Sequence, residues 1–324
     1  MLRYRFLLRG FIHIKKAFRP LPLLTTQKYS LKTIVPCSLG FSLLTLIGLE
    51  KKLSAEDELI LKIKHCVLFV QRKEYDKAEQ LLHVTLRQAQ QIHHELGITY
   101  IYDVMANLAL ERGQYEKAKQ LFVAVTQRIM SNGASEDDIR VIHISIKLAR
   151  ISHMLKDYTT AQLGYDWCLE KLSSNPSRDS SELNVTLLAM TEDWYGRLFV
   201  DCGRHELGLT YMKKAYEKMT NLSDIEQEHL IIQLNDMGTV SDIAGKTDES
   251  IEYFTNAIDL GKKVPEMPDL GAIYINLGRA YMKKSMLDIA RKSCGFGWRL
   301  GVLAKNDDIK KEAEECLKEI KNFS

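Results

Sequence analysis

His93 and His94, followed by Glu95, are the side chains most suggestive of metal binding in this 324-residue chain. Metal ligands must converge on one ion, whereas neighbours on a helix point about 100° apart, so the trio reads as a solvated helix end. Six cysteines, Cys37, Cys66, Cys168, Cys202, Cys294 and Cys316, occur with no CxxC and no repeated gap. That spacing writes neither a zinc site nor a disulfide framework, and Cys66, Cys168 and Cys294 read as small core residues. Gly295, Gly297 and Gly301 superficially suggest a phosphate-cradling loop, but they follow a helical pattern, not a strand, at the wrong spacing. P-loop, HExxH and GxSxG arrangements are absent from the sequence, and no nucleophile has an evident base. The expectation is therefore a non-enzyme with no cofactor, no metal and no small-molecule substrate. Trp167, Trp194 and Trp298 read as packing residues, Trp194 lying beside positions that could face a ligand.

Charge is distributed unevenly. The first 32 residues hold Arg3, Arg5, Arg9, Lys15, Lys16, Arg19, Lys28 and Lys32, and the first acidic residue is Glu50. Taking those eight from the 45 Lys and Arg leaves 37 against 42 Asp and Glu, so the body is acidic although the whole chain has a pI of 8.4. An acidic body without a basic stripe argues against nucleic acid, whose phosphates need clustered cations. Residues 1–32, cationic, apolar and free of carboxylates, have the profile of a mitochondrial targeting presequence. Thr33 to Leu49 is uncharged, starts with a turn weakened by Pro36 and ends at Glu50-Lys51-Lys52. Its length sits at the short edge of the ~17 to 25 residues that cross a bilayer, so residues 33–49 are expected to span a membrane. The basic side would stay in the matrix, leaving the acidic body in the intermembrane space.

The elements that position everything else are repeats, expected over residues 53–324. Segments 72–86, 112–126, 155–169 and 244–258 share a turn, an aromatic or its substitute, a small residue and later a large one, and segments 202–216 and 284–298 fit more loosely. The small residue falls at Ala78, Ala118, Ala161, Gly208, Ser250 and Ala290, and another lies twelve positions earlier at Cys66, Ala106, Ala149, Gly196, Gly238 and Gly278. Antiparallel helices approach closely only where side chains are small. With Tyr75, Tyr115 and Tyr158 at the turn, Gly113, Gly203 and Gly245 beside it, and Phe122, Tyr165 and Phe254 on the second helix, the pattern resembles the tetratricopeptide repeat family. The fold this implies is all-α, a right-handed α-solenoid of about six long helix pairs, with 307–322 as a capping helix. His205 and Gly208 depart from the pattern, and glycines 295, 297 and 301 leave the last second helix either frayed or packed against something close.

Such a stack is concave on the side of its first helices. Residues there include Asp103, Asn107, His143, Arg150, Asp193, Arg197, Asn235, Asp242 and Arg279, a mixed-charge set suited to an extended peptide. The run 98–122, together with the leader and the apolar segment, is similar to a mitochondrial branch of this family. That resemblance implies an inner-membrane adaptor with respiratory complex III and fragments of its Rieske iron-sulfur subunit as partners. The other reading is an outer-membrane import receptor or co-chaperone, which would grip a chaperone tail through a Lys and Asn carboxylate clamp. Ile63 and Val67 occupy the corresponding positions of the first repeat and cannot hold a carboxylate.

Overall fold

The computed structural model describes residues 54–174, 181–265, 267 and 269–323; the expected presequence (1–32) and membrane segment (33–49) lie outside them. Among the described residues every regular element is helical. In chain order the helices are α1 (Ala55–Gln71), α2 (Tyr75–Gln91), α3 (Glu95–Glu111), α4 (Tyr115–Ser131), α5 (Ile139–Met154), α6 (Tyr158–Ser173), α7 (Glu182–Asp201), α8 (His205–Thr220), α9 (Gln227–Ile243), α10 (Thr247–Gly261), α11 (Leu270–Lys283), α12 (Leu287–Leu303) and α13 (Asp307–Phe323). None is long and apolar enough to cross a membrane.

Starting from the small residue, the second helices bury the same four positions. They are Ala78, Leu82, Thr85 and Ala89 in α2, Ala118, Phe122, Val125 and Ile129 in α4, and Ala161, Tyr165, Cys168 and Leu172 in α6. Gly208, Met212, Ala215 and Met219 repeat the spacing in α8, as do Ser250, Phe254, Ala257 and Gly261 in α10 and Ala290, Cys294, Gly297 and Gly301 in α12. Positions i, i+4, i+7 and i+11 make one stripe of a 3.6-residue helix, which leaves the opposite face to water. The first helices differ. In α7 every residue from Ala189 to Val200 is buried, and in α3 every residue from Asp103 to Ala109, because neighbours cover them on several sides.

Turns within the pairs are equally regular. Lys73, Gly113, Lys156, Gly203, Gly245 and Ser285 all take positive φ, between 60° and 79°, one residue after the helix cap. The chain reverses there through paired backbone bonds, such as Gly113 N–H to the Leu110 carbonyl and Gln114 N–H to that of Ala109, which satisfy the last carbonyls of the helix. Side-chain caps start several helices: Ser54 on α1, Asp157 on α6 and Ser181 on α7 each accept from a backbone N–H three residues on.

The molecule divides into two compact units, with the boundary between Ile144 and Ser145 inside α5. In the first, α1 packs on α2, α2 on α3 and α3 on α4. Its core joins Leu59, Ile63 and Cys66 of α1 to Ala78 and Leu82 of α2 and to Ile98, Ile101 and Val104 of α3. In the second, each helix from α6 to α13 packs on the next. There Met212 of α8, Ile231, Leu234 and Met237 of α9, Phe254 and Ala257 of α10, and Ile273 and Leu277 of α11 form one cluster. Two of the three glycines of α12, Gly297 and Gly301, are packed, not frayed, whereas Gly295 faces open space. A Cβ on Gly297 would lie 2.8 Å from the Gly271 carbonyl oxygen, and one on Gly301 would lie 2.9 Å from the Lys310 nitrogen, so α11 and α13 press directly onto the α12 backbone.

Candidate interaction surface on the first helices

Each residue expected to line a groove does lie on a first helix, but they divide sharply by exposure. Asp103, Asn107, Asp193, Arg197 and Asn235 are buried, whereas His143, Arg150, Asp242 and Arg279 are half-buried. In the first unit the Asn107 amide donates to the Asp103 backbone carbonyl at 2.7 Å, one turn back on α3.

In the second unit Arg197 occupies the middle of a buried network. Its Nε donates to Asp193 Oδ2 at 2.7 Å, and its Nη2 donates to Asp236 Oδ2 at 2.8 Å and Gln233 Oε1 at 3.3 Å. Burial opposes the charge on Arg197, yet the two carboxylates overcome it and hold the guanidinium above its usual range. Burial acts in the other direction on Asp236: it outweighs Arg197 and pushes the carboxyl up to about 6. Arg197 therefore cross-braces α7 to α9.

Arg150 lies one repeat earlier, its Nη1 3.0 Å from His153 Nδ1 and its guanidinium carbon 5.7 Å from the centre of the Trp194 ring. His153 is buried, which pulls its pKa below the usual histidine value, and its Nε2 lies 2.9 Å from Asp201 Oδ2. These partners select one tautomer: Nε2–H donates to Asp201 and Nδ1 accepts from Arg150. Further along, Asn276 donates to Asn235 at 2.9 Å, Lys283 pairs with Asp242 at 2.6 Å, and Arg279 donates to Glu312 at 2.7 Å. Those three contacts tie α11 to α9 on one side and to α13 on the other. Polar groups on this face are thus largely spent on joining successive first helices, and Arg150, Asp242, Lys283 and Arg279 remain where a ligand can reach them.

His94 caps α3, its Nδ1 accepting from Gly97 N–H at 2.8 Å while Nε2 lies 3.3 Å from Glu56, and His93 before it has φ 52°. No group of three metal-ligating side chains converges among the described residues. Cys66 and Cys168 are buried thiols, pushed up by burial to about 11 and about 12. Cys294 corrects the expectation of an unpaired core thiol, because it forms a disulfide with Cys316, with Cα atoms 6.3 Å apart. The pairing arises from α12 packing on α13, a relationship that a 22-residue gap does not signal. Trp194 is buried, whereas Trp298 is exposed, contrary to its reading as a packing residue. Residue spacing does not signal a cluster of rings in which Tyr165 stacks on Tyr195 at 5.4 Å, Tyr195 stacks on Phe199 at 4.4 Å and Tyr211 lies tilted 4.9 Å from Tyr195. The Tyr195 hydroxyl donates to Asp166 at 2.6 Å, fixing α7 to α6.

No family model matches the chain. Against individual proteins, it is 33% identical over 273 residues to the mitochondrial tetratricopeptide repeat protein 19 homolog of Drosophila melanogaster, spanning 84% of this chain and 74% of that protein. The chain belongs to the tetratricopeptide repeat protein 19 family. The Homo sapiens member of that family is 30% identical over 282 residues, covering 83% of this chain and 74% of its own length, and it too is named as mitochondrial. Solved structures share the family's fold at low identity. A signal-transduction ATPase with a tetratricopeptide repeat sensor from Pyrococcus horikoshii superposes with a TM-score of 0.60 at 14% identity, over 84% of this chain and 38% of that one. TPR-like repeats of a Podosopora anserina kinesin light chain superpose with a TM-score of 0.50 at 14% identity, over 62% and 94% of the two chains. Membership places the chain among helical-repeat proteins, a fold suited to protein interaction.

Proposed function

We propose that the chain is a non-catalytic adaptor of the mitochondrial inner membrane that binds respiratory complex III and promotes clearance of fragments of its Rieske iron-sulfur subunit. In this reading residues 1–32 direct import and residues 33–49 anchor the chain, with the repeats in the intermembrane space. Helix pairs of the second unit continue as a right-handed solenoid whose first helices receive an extended segment of the partner. The observation that carries the reading is the 33% identity to a mitochondrial relative across 84% of the chain. Half-buried charges of both signs on three first helices, Arg150 of α5, Asp242 of α9 and Arg279 of α11, support a peptide-binding role, since separated charges on a rigid array can read side chains of an extended chain. Arg197 and Asp193 would contribute by keeping α7 and α9 in register, and half-buried His143 would line the corresponding face of the first unit beside buried Asp103 and Asn107.

The test uses the full-length chain, expressed in mitochondria that lack their own copy. Arg150→Gln combined with Arg279→Gln should preserve helicity and membrane association and lower recovery of complex III subunits and Rieske fragments at least fivefold. Unchanged recovery on a folded variant would remove the first-helix face as the working surface. Enrichment of cytosolic chaperones in place of complex III would instead favour an outer-membrane receptor. Protease added after opening only the outer membrane should digest the repeats; protection until the inner membrane is dissolved would place them in the matrix.

A further inference from the structure

The largest concentration of exposed apolar side chains among the described residues lies on and beside one helix. Met286, Ile289, Phe296, Trp298, Val302 and Leu303 all belong to α12 or its N-cap, and Leu303 reaches 78% exposure. Residues seven apart lie nearly above one another at about 100° per residue, so Ile289, Phe296 and Leu303 form one strip, backed by Tyr274 of α11, whose ring stacks on Phe296 at 5.4 Å. Lys292 and Arg299 run alongside the strip as a second column. Arg291, Trp298 and Val302 flank that column on its far side.

These cations differ from the bases that join the repeats. Lys246 before α10 is paired with Glu206 of α8, Lys283 of α11 with Asp242 of α9 and Arg279 of α11 with Glu312 of α13, while Lys218 of α8 joins Glu192 of α7 within one pair. Lys292 and Arg299 make no ion pair among the described residues; the Arg299 guanidinium rests 4.5 Å above the Phe296 ring, with Nε 3.4 Å from the Gly295 carbonyl oxygen. Arg291 has only the highly exposed Asp288 at 3.4 Å. In a body with more acids than bases, this helix therefore presents three arginine and lysine side chains against one aspartate, beside a ridge of Phe, Leu and Ile. Aromatic, aliphatic and arginine side chains together are the composition of interface centres.

We propose that the outer face of α12 docks an acidic amphipathic helix of a partner protein, whose apolar stripe covers Ile289, Phe296 and Leu303 and whose carboxylates pair with Lys292 and Arg299. The arrangement of the columns selects a helix over a membrane. Lipid-binding helices carry their apolar residues in the centre of the exposed arc with bases at its edges, whereas here Lys292 and Arg299 are central and the apolar strips lie to the sides. A rod laid along one strip buries it and meets the basic column at the same time. This surface is on a second helix and does not depend on the reading of the first-helix face.

A photo-crosslinking amino acid at Leu303 of the full-length chain in intact mitochondria tests the proposal, with the adduct mapped by mass spectrometry. The expected adduct is a protein segment whose acidic and apolar residues alternate at helical spacing. Its yield should fall at least tenfold with Lys292→Glu and Arg299→Glu together, and should persist with Lys292→Arg and Arg299→Lys. Adducts confined to lipid, a crosslink to a second copy of this chain, a segment without that pattern, a yield unmoved by charge reversal on a folded variant, or no adduct would each overturn it. Flotation on phosphatidylglycerol vesicles that is abolished by the same reversals would assign the face to a membrane instead.

Discussion

Gly196 of α7 and Gly208 of α8 face each other so closely that a Cβ on the first would lie 2.8 Å from the carbonyl oxygen of the second, and a Cβ on the second 2.7 Å from that of the first. Helix interiors ordinarily gain about 0.5–1 kcal/mol when Gly becomes Ala. At these two positions the added methyl meets backbone on the partner helix, so overpacking of about 1–3 kcal/mol wins. Gly208→Ala should lower the midpoint of urea unfolding. Gly295→Ala provides the opposite sign, since nothing lies within 4 Å of its Cβ and α12 should gain the propensity term. Equal shifts for the two variants would mean that α7 and α8 do not approach at this point.

The six-pair pattern was legible because packing imposes a period on residue size. Ala118, Phe122 and their counterparts in other repeats occupy equivalent sites in α2, α4, α6, α8, α10 and α12, so each repeat checks the next. Turn chemistry was half legible: Gly113, Gly203 and Gly245 stand out, but Lys73, Lys156 and Ser285 hold the same left-handed position without glycine. A single non-glycine residue there costs only about 1–2 kcal/mol, which the surrounding helices can supply. Of the residues expected to face a groove, Asp103, Asn107, Asp193, Arg197 and Asn235 are buried, an exposure that helical spacing alone does not signal. Asp193 and Arg197 are four apart and visibly paired, but Asp236, the acid that completes the network, comes from the next first helix. Contacts between repeats, like the one that joins Cys294 to Cys316, leave no trace in local spacing.

Thiol chemistry should separate the five cysteines among the described residues into three classes. Cys202 is exposed at the end of α7, Cys66 and Cys168 are buried with thiols pushed to about 11 and about 12, and Cys294 and Cys316 are bonded to each other. Because the thiolate is the nucleophile, maleimide at pH 7.5 should label Cys202 in the folded protein and reach Cys66 and Cys168 only after unfolding. Cys294 and Cys316 should label only after unfolding with reductant. Prompt modification of Cys168 in the native state would contradict its place in the α6 core.

Removing the Arg197 guanidinium should be among the most damaging single changes. Arg197→Met leaves the carboxylates of Asp193 and Asp236 buried without their cation, a loss of about 3–5 kcal/mol. Replacing all three by apolar residues, Asp193→Leu and Asp236→Leu together with Arg197→Met, should recover much of that loss, since no charge is then left buried. Equilibrium denaturation of the single and triple variants decides the matter. A single variant as stable as the parent would show that the network does not brace α7 against α9.

Asp236 carries a pH signature of definite sign. Its carboxyl titrates near 4 in an unfolded chain and at about 6 in the folded one, because burial outweighs Arg197. The folded state therefore holds this proton more tightly, and the associated stability is fully present below about pH 4 and lost as pH rises through about 6. Two units correspond to roughly 2–3 kcal/mol at about 1.4 kcal/mol per unit. Other carboxylates run the opposite way: Lys77 holds Glu74 below its usual range and Lys117 does the same for Glu79, so the pH profile of the parent alone mixes both signs. The difference between parent and Asp236→Asn isolates the group. That variant keeps a hydrogen-bonding amide beside Arg197 and has no proton to lose. Its stability relative to the parent should improve by about 2–3 kcal/mol between pH 4 and pH 7.5, measured by urea denaturation at several pH values. A difference that stays flat across that range would mean that Asp236 is ionised in the folded protein at every pH tested, and that Arg197, not burial, governs its titration.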